Sequence, residues 1–357
     1  MRTKQTLLAA GNRIGRFLSI WTGPGILLFP IISPAQIYVV NDSTGTIGEY
    51  TMSGSAINAT LVKGLSYPTA LATDGQGHLF VVNTGSDNVG EYTTSGAVVN
   101  ASLPFFGYGI ACDGKGNIFV AQDGTVGEYT TSGATVNALL IEKLGTCKGG
   151  IALDGNGNLF VQYEPSPANT DTIGEWTTSG GIVNPAVISG NGNSEIQYDG
   201  NGNLYMLNGN LNGVSEYTTS GATVNASLIT GLTNALGLAL DGNGHLFVSH
   251  TSGTSGYVGE YTTAGVAVNA TLISGLHNPA GIVVLPQTVP SPTIQVASQS
   301  SLLISWPNTG SYTLQSNSDL STSAWSPYNG TVTTSNGTNS VTITPAAQSA
   351  FFRIESP

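Results

Sequence analysis

Beyond residue 35, apolar and polar side chains alternate with a period of two in short runs punctuated by Gly, Asn, Asp and Ser. In Val89-Gly90-Glu91-Tyr92 this alternation sends Val89 and Glu91 to one face of a strand and Gly90 and Tyr92 to the other. No apolar stretch of helical period follows residue 35, so very little helix is expected. The same strand recurs along the chain. VGEYTTSG stands at 89–96 and 126–133, IGEWTTSG at 173–180 and VSEYTTSG at 214–221, with IGEYTMSG at 47–54 and VGEYTTAG at 258–265.

The glutamates of this motif, Glu49, Glu91, Glu128, Glu175, Glu216 and Glu260, are spaced by 42, 37, 47, 41 and 44 residues. That is the period of a four-stranded β-propeller blade. One unit reads GIALDGNGNLFV (150–161), IGEWTTSG, then GIVNPAVI (181–188). GIAL is a short inner strand whose glycine lets it crowd the centre of a ring. DGNG supplies residues tolerant of positive φ for a tight turn, and NLFV is a buried second strand. GEYTT and the segment after the SG turn supply the third and outer strands. The chain enters on a second-type strand, IYVVND (37–42), and leaves the repeats on a first-type strand, GIVVLP (281–286). The last strand therefore supplies the inner strand of the first blade, which removes the open edges of the ring. The expected fold is all-β: a six-bladed propeller over 36–286, closed by a C-terminal strand.

The pattern in GIALDGNGNLFV, ACDGKGNIFV (111–120) and ALDGNGHLFV (239–248) resembles the NHL-type, streptogramin-lyase-like and gluconolactonase-like propeller families. The resemblance covers some 250 residues and implies architecture far more than activity, because these repeats occur in enzymes, scaffolds and sensors alike.

LPQTVPSPT (285–293) is a proline-containing stretch whose residues 287–293 are read as a linker. Residues 294–357 alternate in short strands, with Trp306, Trp325, Phe351 and Phe352 as core candidates. A small β-sandwich of fibronectin-III type is expected. YTLQSNSDLSTSAW followed by AFFRIESP is similar to a C-terminal module of large secreted proteins of Verrucomicrobia and Planctomycetes, which implies attachment or sorting.

Charged residues make up only 8% of the chain, and the formal net charge is -11. Arg2, Lys4, Arg13 and Arg16 open it without an accompanying acid, and FLSIWTGPGILLFPIISPAQ follows. This reads as the basic and apolar regions of a secretory signal over 1–35, with Ser33-Pro34-Ala35 at a cleavage position; an uncleaved membrane anchor is the competing reading. The mature chain would then carry a charge near -15, which repels phosphate backbones, so no nucleic-acid partner is expected. Cys112 and Cys147 are read as buried apolar fillers or, in an exported chain, as a disulfide.

The repeated glutamates read first as scaffold, because catalytic sites place different residues at equivalent positions; a collective ligand ring is the alternative. Asp74, Asp113, Asp154, Asp199 and Asp241 begin four-residue turns, and an Asx-stabilised hairpin explains them better than calcium loops. His78 and His245 stand where Asn117, Asn158 and Asn203 stand elsewhere, so they read as hairpin residues, while His277 carries no motif. Two outliers remain. His250 lies in the variable segment SHTSGTSGY, and Glu195 with Asn193 lies in NGNSEIQYDG, where other copies have glycine.

The connections at 83–88, 121–125, 162–172, 208–213 and 249–257 all join second to third strands and so crowd one rim. The longest, QYEPSPANTDT and SHTSGTSGY, are the ligand-contact candidates. The expected function is an exported, monomeric binding or adhesion module meeting a protein, glycan or small molecule at that rim. No catalytic residue and no cofactor are assigned, although the resembled enzyme families sometimes carry a single divalent cation such as calcium. A lactonase or lyase working in the channel, and a structural cell-surface component, are the rivals.

Overall fold

The computed structural model describes residues 35–285 except 148, 167–169, 191–192 and 211, together with 18–20, 26–29, 293–298, 301–307, 313–317, 325–335, 338–343 and 350–355. The chain divides into two compact units, Ala35–Pro286 and Met1–Pro34 with Gln287–Pro357.

Six four-stranded antiparallel sheets build the larger unit. Sheet I joins Pro279–Leu285 to Gln36–Asn41, Thr46–Thr51 and Ala56–Lys63. Sheets II to VI follow in chain order, with inner strands Pro68–Thr73, Gly109–Cys112, Ile151–Leu153, Asn193–Tyr198 and Gly237–Leu240. Inner strands of consecutive sheets are neighbours, and Pro279–Leu285 adjoins the inner strands of both sheet VI and sheet II, so the sequence of sheets closes on itself. Closure is carried by Ile282↔Val39, Val283↔Tyr38 and Val284↔Ile37.

Six core clusters fill the six seams between successive sheets. Between II and III, for example, Phe80, Val82 and Val89 pack on Phe105, Ile110, Ile118, Val120 and Tyr129. Tyr92 faces the other way, into the I–II seam with Tyr38, Val40 and Leu79, as the strand alternation requires. Each such buried aromatic or branched side chain stabilises by roughly 1.5–3 kcal/mol.

The Gly of the repeated motif has a steric cause. A Cβ on Gly90 would stand 2.7 Å from the Tyr92 ring, which folds back over the glycine; Gly48, Gly127, Gly174 and Gly259 meet their own Tyr or Trp in the same way. In sheet V the glycine is replaced by Ser215, whose hydroxyl donates to Ala226 O at 2.7 Å.

The third and outer strands meet at a bulge centred on the Glu–Asn pairs, such as Glu91↔Asn100. At each bulge the Asn Oδ1 accepts the N–H two residues on, as from Ser102 to Asn100 at 3.0 Å and from Ser227 to Asn225 at 3.0 Å. The outer edges are exposed and nearly free of charge, so this local bond and the bulge twist are what withdraw them from edge-to-edge pairing.

In the smaller unit, one sheet orders Thr293–Ser298, Ser301–Pro307, Thr338–Ile343 and Thr333–Ser335. A second sheet contains Thr313–Asn317, Ser326–Pro327 and Ala350–Glu355, and the backbone strands Leu18–Ile20 and Ile26–Phe29 join it through a parallel pairing with Ala350–Glu355. Trp306, Ile304, Leu314, Val341 and Ile343 are buried; the side chains of Phe351 and Phe352 lie outside the described residues. Among the described residues no helix is long and apolar enough to cross a membrane.

Candidate functional site

Antiparallel order places the connections of each sheet on two opposite rims. The DGxG and SG turns share one rim, and the second-to-third and outer-to-inner connections share the other. Chemically the two rims are unlike.

On the turn rim every copy has the same geometry. Asp154 Oδ1 accepts the N–H groups of Asn156 and Asn158 at 2.7 and 3.0 Å, and Asn158 Nδ2 donates to Oδ2 at 2.8 Å. Asp113 and Asp199 repeat this arrangement. In two sheets a histidine replaces the asparagine, with His78 Nδ1 2.7 Å from Asp74 Oδ2 and His245 Nδ1 3.0 Å from Asp241 Oδ2. Burial disfavours the ionised form of Asp113, Asp154 and Asp241, but the backbone and side-chain donors outweigh it and hold these carboxyls below the usual range. The aspartates are committed to the turns.

The repeated glutamates lie within their strands, each opposite an aromatic residue of the second strand. Burial pushes the carboxyls of Glu49, Glu91, Glu128 and Glu175 upward. In sheets I and V the opposite residue is tyrosine. Gln36 Nε2 and Tyr38 OH donate to Glu49 at 2.6 and 3.5 Å, and Tyr205 OH donates to Glu216 at 3.0 Å. The donors in these two sheets are therefore side chains of the second strand. Among the described residues no three His, Cys, Asp or Glu side chains are placed to hold a metal ion.

The opposite rim is individualised. The sixth residue of the second strand is Asn41, Asn83 or Asn208 in three sheets and Gln122, Tyr163 or His250 in the others, and its surroundings change from sheet to sheet. Asn83 Nδ2 donates to Asn88 at 3.1 Å, Gln122 to the Tyr129 hydroxyl at 2.9 Å, and Tyr163 to Pro185 O at 2.7 Å. His250 has no such partner: both ring nitrogens are closed off from solvent without a hydrogen bond, and the ring stacks on Tyr257 at 5.7 Å. Asp42 Oδ1, Thr69 Oγ1 and Asn83 Oδ1 on the same rim are likewise buried without a donor. Such an orphaned group costs about 1–3 kcal/mol. Of the two long connections, 249–257 is a strand extension pairing His250 with Tyr257, and 162–172 lies partly outside the described residues. His277, which carried no motif, contributes its N–H to Asn41 Oδ1 at 3.3 Å.

Glu195 is the one carboxylate on any inner strand among the described residues. It occupies the place of Gly109, Gly237 and Gly281, glycines whose added Cβ would strike the neighbouring backbone, at Gly149 just before an inner strand for Gly109 and within an inner strand for Gly237 and Gly281. A bulge between Asn193 and Ile196 accompanies it. Desolvation in this crowded ring pushes its carboxyl up to about 8, opposed only by a 3.5 Å bond from Gln197. The side chain of Asn193, the other outlier of NGNSEIQYDG, lies outside the described residues. Cys112 and Cys147 are free thiols packed in different seams, and burial pushes the Cys147 thiol up to about 12.

One rim residue escaped the sequence reading. Tyr67 has φ +45° and is 68% exposed. The signal was present in the alignment of GLSYP (64–68) with GLTNA (231–235) and GLHNP (275–279). Asn234 and Asn278 hold the equivalent left-handed position at φ +48° and +52°.

No family pattern and no curated protein matches this chain. Among solved structures it is similar to a chain of the nidogen/laminin complex, at 12% identity over 70% of this chain and 98% of that one, with a TM-score of 0.56. It is also similar to a protein of unknown function from Bacteroides caccae (17% identity, 71% and 99% covered, TM-score 0.51). TolB from Acinetobacter baumannii aligns at 12% identity over 71% and 67%, with a TM-score of 0.51. Likeness at such identities concerns the fold alone, and with the repeated four-stranded sheets it makes the larger unit a β-propeller.

Proposed function

We propose that this chain is an exported binding or adhesion module: a six-bladed β-propeller, with one rim for its ligand, joined in sequence to a fibronectin-III-like tail. One contrast carries the reading. The repeated Asp and Glu side chains are taken up in turns and seams, whereas the opposite rim varies from blade to blade, carrying Asn, Gln, Tyr or His with differing hydrogen-bond partners. Function is grafted where repeats diverge. Removal of residues 1–35 during export belongs to the same proposal, as does attachment through the tail. The test is retention of the full chain on isolated cell envelopes, compared with a variant whose 249–257 hairpin is shortened to the length of 121–125. Loss of retention in the variant is expected; equal retention would sink the assignment to this rim.

A second reading rests on Glu195. A carboxyl raised to about 8 in the ring centre suits general acid–base work near neutral pH, as a channel-sited lactonase or lyase requires. Hydrolysis of a panel of aldonolactones, lost in Glu195→Gln, would support it. Absence of turnover in the unmodified protein would remove it.

A further inference from the structure

Exposed aromatic residues on the variable rim gather on sheets II and III. Tyr67 is 68% and Tyr108 40% exposed, with Phe106 edge-on to Tyr108 at 5.4 Å. Both tyrosines lie in the connections that enter inner strands, and the inner strands of II and III are neighbours.

Tyr67 is held in place by construction. Its carbonyl accepts the Thr84 N–H at 3.1 Å and the Thr84 hydroxyl at 2.8 Å, while Gly85 N donates to Ser66 O at 3.0 Å. A Cβ on Gly85 would collide with Ser66 Oγ and stand 2.6 Å from Tyr67 Cδ2, so the loop leaves room for that ring. Left-handed backbone is tolerated by the asparagines of the sister blades but is an outlier for a bulky residue. The chain thus keeps a strained conformation to present an aromatic ring that stabilises no core, which is the mark of a functional position.

The groups beside the ring define what it meets. Ser86 and Asp87 are exposed and Thr84 and Asn88 half-buried; Asp87 is itself at φ +50°. No lysine or arginine lies in the connections 64–68, 83–88 or 104–108 apart from the Lys63 that precedes them. Short hydroxyl, amide and carboxylate groups around flat aromatic faces match a ligand that offers C–H faces and many O–H donors. A peptide docking by strand addition would need an open sheet edge, and the open edges here are the outer strands, not this rim.

We propose that the Tyr67 surface is a carbohydrate-stacking subsite, with a pyranose ring lying on Tyr67 and its hydroxyls meeting Asp87 and its neighbours. It deepens the binding-module reading and rests on it.

The test uses the full chain with cellohexaose, chitohexaose, laminarihexaose and mannohexaose by calorimetry, and with insoluble cellulose and chitin by sedimentation. Tyr67→Asn installs the residue of the sister blades. It is expected to keep the fold, raise Tm by about 2–4 °C through relief of strain, and lower affinity by about tenfold or more. Tyr67→Phe keeps the stacking face and retains binding. Equal affinity in Tyr67→Asn overturns the subsite. Failure of every oligosaccharide and polysaccharide to bind overturns the carbohydrate class. In that case, envelope retention that survives Tyr67→Asn leaves the binding module standing, and absence of retention removes both.

Discussion

Tyr205 donates a 3.0 Å hydrogen bond to Glu216 across sheet V, at a position where four of the six sheets carry phenylalanine opposite the glutamate. Burial, reinforced by the neighbouring carboxylate, pushes the Tyr205 hydroxyl above its ordinary range, which keeps it a donor around neutral pH. Tyr205→Phe is expected to cost about 1 kcal/mol, read as a shift of the urea midpoint with unchanged m. The loss stays small because the other sheets show that the site accepts Phe. A loss above about 3 kcal/mol would mean that Glu216 belongs to a tighter network.

The pH profile should carry the sign of Glu195. Its folded carboxyl titrates at about 8, against about 4.3 in an unfolded chain. Between these values the unfolded state binds fewer protons, so stability falls as pH rises through the window, by roughly 3–5 kcal/mol in all. Glu49, Glu91, Glu128 and Glu175 are shifted in the same direction. Asp113, Asp154 and Asp241, held low, act oppositely and remove stability as pH falls through their own range. Melting between pH 4 and 9 should show a decline on the alkaline side that Glu195→Gln flattens. Parallel curves for the two proteins would place Glu195 in water.

The turn aspartates are structural, so Asp154→Ala should destabilise by about 1–3 kcal/mol through loss of three bonds within one turn. Asn158→Ala, which leaves both backbone bonds in place, should cost less. Amide exchange at Asn156 and Asn158 is the local readout, and protection that survives Asp154→Ala would contradict this assignment.

Closure of the ring gives a sharp pair of truncations. A chain spanning 35–286 contains all of the larger compact unit and should fold and melt cooperatively. One ending at residue 278 lacks Pro279–Leu285 and leaves Gln36–Asn41 without its inner neighbour, so it should aggregate or lose its cooperative melt. Equal melting of the two would show that the last strand is dispensable.

Both thiols are free and packed in separate seams, Cys147 buried and Cys112 half-buried. A thiol reagent should find them slowly in the native protein and both at once after denaturation, and a reductant should leave Tm unchanged. A drop in Tm with reductant would reveal a bridge.

The two-residue alternation, the tight-turn residues and the period of about 40 residues are local properties. From them the strands, their order within a sheet, the Asx turns and the supply of the first inner strand by GIVVLP (281–286) follow without coordinates, and the structure sets that strand at Pro279–Leu285. Seam chemistry is not local. Whether Glu216 meets a hydroxyl or Glu91 a phenyl ring depends on which second-strand residue stands opposite, and Glu195 is displaced from its ordinary titration only because inner strands approach closely enough to exclude a Cβ elsewhere. Tyr67 marks the boundary. Its difference from Asn234 and Asn278 is written in the sequence, but the left-handed backbone that makes the difference costly, and the exposure that gives it a use, are set by the hydrogen bonds of a folded rim.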